Sequence, residues 1–153
     1  MGNSKLLEWL NNNQGKTFDS PRNQLFNTKT RGFEITAIKS DRINIKFEEK
    51  IALPLLFSMF DRAITRLSAD QGKPVRLGAK LNPPYDPDTL EAAIWKLPYP
   101  GGYTNSYKAA PHICDILVLA GLVKYIEMIN PLTNRKVQGA QLVNIKAKSV
   151  KEF

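Results

Sequence analysis

The chain is poor in the residues that most often carry chemistry. One of its 153 residues is cysteine and one is histidine. A lone Cys114 excludes an internal disulfide, and a lone His112 excludes any site needing two imidazoles. Structural zinc takes four ligands, mostly cysteine and histidine, so one of each falls short. Apolar runs are also short. Ile51–Phe57, broken by Pro54, and Ile116–Val123 are the longest, well under the ~18–20 residues of a membrane span. The first five residues lead to no cleavage-site pattern, so no secretory leader is expected. Leu6 stands where a myristoylation signal has Ser or Thr. Neither a Gly-x-Ser-x-Gly elbow nor a Gly-x-Gly-x-x-Gly fingerprint occurs. No catalytic class is favoured, and no metal or cofactor is expected, although one part of a larger catalytic protein stays open.

What is present is globular and basic. Hydrophobic residues make up 42% and charged residues 24%, which suits a folded core. The expected compartment is reduced, most simply the cytoplasm. The net charge is +8, with a pI near 9.6. Residues 1–80 hold 14 basic and 8 acidic side chains, and residues 81–153 hold 8 and 6. Such an excess suits a polyanionic partner, nucleic acid before membrane.

Periodicity outlines an α+β chain. Ser4 is placed to cap a helix over Lys5–Asn12, closed by Gly15. Residues 16–32 show no period and read as a loop bearing Lys16, Arg22, Lys29 and Arg31. Phe33–Phe47 alternates apolar and polar residues on two arms around Ser40-Asp41, the mark of a β-hairpin. Pro54 suits a first helical turn, and Leu53, Phe57, Phe60, Ile64 and Leu67 give a helical stripe to Ala69. Val75–Leu77 suggests a short strand. Asn82–Pro87 carries three prolines and predicts extended chain and a boundary. It divides an N-terminal α/β unit, residues 1–82, from a second domain, residues 83–148, with a tail over 149–153. Asp88 and Glu91 read as a capping pair, followed by a helix through Leu97. A second helix runs from Pro111 to Ala120 and ends at Gly121. Strands follow at Val123–Met128 and Ala140–Ile145, with a basic loop Ile129–Gly139 between them.

Helix, turn, helix, strand, basic loop, strand over Asp88–Lys146 resembles the winged-helix superfamily. The run Ile116-Leu117-Val118-Leu119-Ala120-Gly121-Leu122-Val123-Lys124-Tyr125 carries the resemblance most clearly. It implies a hairpin-and-helix unit packed on a C-terminal winged helix. It also implies that helix 111–120 lies in a major groove. His112, Asp115 and Lys108 would then face bases, while Arg135 and Lys136 sit on the wing. The helix contains neither Lys nor Arg, a departure from the usual pattern, and Asp115 would repel phosphate.

Other constellations are weighed on geometry. Gly15-Lys16-Thr17 matches the tail of a phosphate loop, yet Leu10 occupies the leading glycine position. Asp41 and Glu48-Glu49-Lys50 resemble a nuclease motif, but an extended strand would hold the carboxylates ~20 Å apart, beyond one metal. Cys114 and His112 are two apart on a helix and point away from each other, so Cys114 reads as a buried thiol. Tyr99, Tyr103 and Tyr107 either stack on bases or pack under a helix turn. The expected function is duplex-DNA binding through phosphates, by Arg22, Lys29, Arg31, Lys108, His112, Arg135 and Lys136, in a module of a larger DNA-processing or restriction-type system. A winged helix docking a protein partner, and a nuclease subunit, are the competing readings. Residues 84–148 are expected to fold alone if the second half is a separate winged helix.

Overall fold

The computed structural model describes residues 4–47, 52–78, 86–95 and 108–143. Most of the proline-rich joint, the three tyrosines and Glu48–Lys50 lie outside these residues. The architecture is α+β, with two antiparallel sheets.

Helix α1 (Ser4–Asn13) buries Leu6 and Leu10, one turn apart. Gly15 follows at φ +86° and donates its N–H to the Ile35 carbonyl at 2.8 Å. Left-handed backbone at a helix end favours glycine. The stretch read as a loop holds two short elements instead, strand β1 (Thr17–Phe18) and helix α2 (Arg22–Leu25). Neither is long enough to show a period, which is why periodicity misses them.

The hairpin forms β2 (Phe33–Ile38) and β3 (Arg42–Lys46), with Phe33, Ile35, Ile43 and Ile45 buried. A bulge shifts the register between Ile35 and Ala37, so the alternation of the first arm breaks there. The helix expected from Pro54 begins three residues later. Leu53–Leu56 is strand β4, paired with β3, and helix α3 spans Phe57–Ser68. The sheet order β1-β2-β3-β4 puts β4 on an edge, where a residue without an N–H is tolerated. The Phe57 N–H, the first in α3, goes to the Asp41 carbonyl at 2.9 Å.

The second sheet crosses the boundary drawn at 82–83. Strand β5 (Val75–Arg76) pairs with β7 (Arg135–Leu142), which pairs with β6 (Val123–Asn130), in the order β5-β7-β6. Gly139 lets β5 approach, since a Cβ there would press on Met128 and lie 3.2 Å from the Val75 carbonyl. Helix α4 (Leu90–Trp95) starts at Thr89, whose hydroxyl accepts the Ala92 N–H at 3.3 Å. Thr89, not Asp88, is therefore the cap. Helix α5 (Ala110–Leu119) ends at Gly121, φ +81°. The basic loop is shorter than expected. Arg135 pairs directly with Asn130, leaving a four-residue turn, Pro131–Asn134.

One hydrophobic cluster joins Leu6, Ile35, Ile45 and Phe60 to Ile94, Ile113, Ile116 and Ala140. Helix α3 packs on α4, α5 and β7. Aromatic rings run from Trp9 through Phe18, Phe33 and Phe47 to His112, with centroids 5.0–6.2 Å apart. The core thus does not divide at the proline-rich joint. A fragment of residues 84–148 lacks α3 and β5 and should be largely unfolded by circular dichroism. A native-like spectrum would mean that the second half holds a core of its own. Cys114 is fully buried, so a thiol-reactive dye should label it slowly in the native protein and quickly in denaturant.

Candidate nucleic-acid interface

A groove of about 860 Å³ lies between the β6–β7 hairpin, the end of β5 and the chain leading into α5. Lys108, Lys136, Arg76 and Arg22 line it, with Asp86 as the one carboxylate among the lining residues. The four cations are not equivalent. Arg76 is 7% exposed and donates to both Asp86 oxygens, at 2.5 and 3.4 Å. Its Nη1 also donates to Asn130 Oδ1 at 3.2 Å. Lys108 and Lys136 are exposed. Lys136 stands 3.8 Å from Glu127 across the hairpin, a surface pair that holds a side chain only loosely. The lone groove carboxylate is thus bound by Arg76, and two ammonium groups, Lys108 and Lys136, are the exposed lining cations.

Arg22 is buried rather than exposed on a phosphate-gripping loop. Its Nε and Nη2 donate to Asp115 Oδ1 and Oδ2 at 3.0 and 3.1 Å. The Tyr125 hydroxyl also hydrogen-bonds Asp115 Oδ1. Asp115 is 1% exposed, so it faces neither bases nor phosphates. His112 leans on the Phe47 ring and is half-buried. Phe26 meets Tyr125 edge-on, centroids 5.5 Å apart. The outer side of α5 is covered by the N-terminal part of the chain, which corrects the expectation of an open recognition helix. A helix this apolar, with no Lys or Arg, needs cover on every side.

The remaining candidates scatter. Arg135 is exposed at the hairpin end, next to Lys136. Lys29 and Arg31 are exposed on a loop organised by Asn23, which bonds the Thr30 carbonyl and N–H at 2.8 and 2.7 Å; neither lines the groove. Arg62 donates to the Ile94 carbonyl at 2.7 Å, and Arg66 lies 3.8 Å from Asp70. Asp41 accepts two hydrogen bonds from Arg42, which hold its carboxyl below the usual range. Among the described residues no three His, Cys, Asp or Glu converge as metal ligands, and no helix is long and apolar enough to cross a membrane.

Two groups escape a sequence reading. Arg76 sits between two apolar residues in a strand, the only hint of its inward ion pair. Glu91 is fully buried and, instead of capping its own helix, accepts the Ala109 N–H at 2.8 Å, the Ala110 N–H and the Trp95 indole N–H at 2.8 Å. Burial raises its pKa against those bonds. It closes the N-terminus of α5, leaving those amides satisfied from within.

No protein-family model, curated protein or solved structure matches the chain.

His112 makes the site's stability depend on pH. Burial, then the Arg22 charge, pushes its pKa down to about 4 from 6.5. Between those values the unfolded chain binds the extra proton, so stability rises with pH through that window and is flat above it. The wild type should lose about 1–2 kcal/mol relative to His112→Gln between pH 7 and pH 5. Denaturant titrations of both proteins at the two pH values check this. Asp115→Ala strands the Arg22 charge and the Tyr125 hydroxyl and should cost about 3–5 kcal/mol, measured in the same titrations.

Proposed function

We propose that the chain binds duplex DNA through phosphate contacts, using a winged-helix arrangement that starts earlier than the sequence resemblance. The order α3, β5, α4, α5, β6, β7, with the sheet order β5-β7-β6, supports taking Phe57–Leu142 as that unit. In this reading α3 is its first helix and β5 its first strand. The hairpin β6–β7 is the wing.

The observation that carries the function is the groove beside the wing, with Lys108 and Lys136 exposed at its mouth and its one lining carboxylate bound to Arg76. Arg135 extends the positive surface along the wing. Such an arrangement attracts a polyanion and repels little of it. Base reading is not part of the proposal, because α5 offers no exposed cation and both Asp115 and His112 are taken up in packing. Affinity then comes from the phosphates, and sequences are bound alike.

Affinity for random duplex DNA should fall steeply with salt, with a log–log slope of about −0.9 per phosphate contact. Arg135→Ala combined with Lys136→Ala should weaken binding to all sequences alike and flatten the slope by up to about two contacts. Lys108→Ala should remove about one more. His112→Ala should alter neither slope nor sequence preference. Absence of salt-sensitive duplex binding below ~100 μM at low salt would discard the DNA reading and assign the wing charges to an acidic protein surface.

A further inference from the structure

Among the described residues, two of the three exposed large apolar side chains sit on the wing, Ile129 at 52% and Leu132 at 75% exposure. Leu132 also lines the groove. Single exposed leucines are ordinary, but the backbone of this one is held in place. The Asn130 side chain accepts the Leu132 N–H at 2.9 Å and an Arg76 N–H at 3.2 Å. The Asn130 carbonyl accepts the N–H groups of Thr133 and Asn134 at 3.2 and 2.7 Å. Asn134 takes the left-handed conformation, φ +58°, that closes the turn. Arg76 is itself fixed by Asp86. A chain of hydrogen bonds therefore runs from the floor of the groove to the tip, and the tip displays one apolar side chain.

Charge surrounds that side chain. Arg135 and Lys136 follow on the same hairpin, and Lys108 lines the same groove. The exposed apolar side chains of this hairpin stand near cations rather than on a broad apolar face. They match a single base step between two charged backbones. An apolar wedge that enters a step must be rigid, or the cost of ordering it cancels the benefit of insertion. The Asn130–Arg76–Asp86 support supplies that rigidity to the backbone carrying Leu132.

We propose that Leu132 is a wedge entering a base step of bound DNA, so that the protein prefers duplexes carrying a weakened step, such as a mismatch. This rests on the duplex-binding reading. Insertion must unstack the step, and a step already weakened costs less to open. Arg135, Lys136 and Lys108 hold the flanking phosphates while Leu132 occupies the gap.

The test uses the full chain with two 20-base-pair duplexes, one fully paired and one with a single central mismatch beside 2-aminopurine. The wild type should bind the mismatched duplex about tenfold more tightly and raise the 2-aminopurine fluorescence. Leu132→Ser should lose both effects and keep the salt slope, whereas Leu132→Met should retain them. The side chain is three-quarters exposed, so the variants keep the fold, checked by circular dichroism. Salt-sensitive but equal binding of both duplexes by the wild type would overturn the wedge and leave the phosphate reading standing. So would a preference that survives Leu132→Ser. Failure to bind either duplex would overturn both.

Discussion

The ion pair between Arg22 and Asp115 joins residues 93 positions apart and is the constraint on which the arrangement of the molecule depends. Both side chains are nearly sealed from water, 10% and 2% exposed. A buried carboxylate is tolerated only when its oxygens are occupied. Arg22 fills both with a planar fork, and the Tyr125 hydroxyl adds a further bond. Burial, with Cys114 and Asp115 beside it, pushes the phenol well up, so Tyr125 remains a donor. Such a pair adds little net stability compared with an apolar substitute. What it imposes is a single docking of α2 against α5, because any other placement leaves a charge stranded.

That docking determines which surfaces are free to meet a ligand. Once Arg22 and Phe47 cover α5, its Asp115 and His112 are taken up in packing. Glu91 secures the N-terminus of the same helix through the Ala109 and Ala110 amides. It bridges α4 to α5 with a group that resists ionisation through burial. A helix held at its N-terminus and its middle gives the following hairpin a fixed origin, and Tyr125, on β6, is tied to the Asp115 carboxylate. The exposed cations of the hairpin are thereby presented at one side of a groove rather than on a swinging arm.

The parts legible in the sequence are those governed by local periodicity. The Phe33–Phe47 hairpin, the Phe57–Leu67 stripe, the Gly15 and Gly121 helix ends and the burial of Cys114 all follow from spacing or from left-handed backbone. Pro54 misled because its fixed φ suits a helix start and an edge strand equally, and pairing with β3 decided between them. Asp88 and Thr89 both cap well, and the bridge of Thr89 to Arg76, with the hydroxyl bonded to the Asp86 carbonyl, selects one. Of the site, Arg135 and Lys136 were legible as cations on the loop between the last two strands, and Lys108 as a cation beside helix 111–120. Arg22 and Asp115 were not legible as a pair. Nothing in a linear pattern couples positions that far apart, and each alone resembles a solvated charge. The absence of Lys and Arg from residues 111–120 was the available clue that this helix faces inward.

The same distribution separates the roles of the basic residues. A cation committed to a buried carboxylate, such as Arg22 or Arg76, has no charge left to offer a phosphate and serves to position what lies above it. A cation at the surface gains from a phosphate because it releases bound salt ions from the polyanion on contact. The net charge of +8 therefore overstates the positive charge free at the surface, since Arg22 and Arg76 are committed to carboxylates. The exposed part near the groove is a small set, Lys108, Arg135 and Lys136, beside a carboxylate already bound to Arg76. Arg76 connects the two levels. It quiets Asp86 on one side and braces Asn130 on the other, so the rigidity of the hairpin tip and the positive sign of the groove have one structural origin.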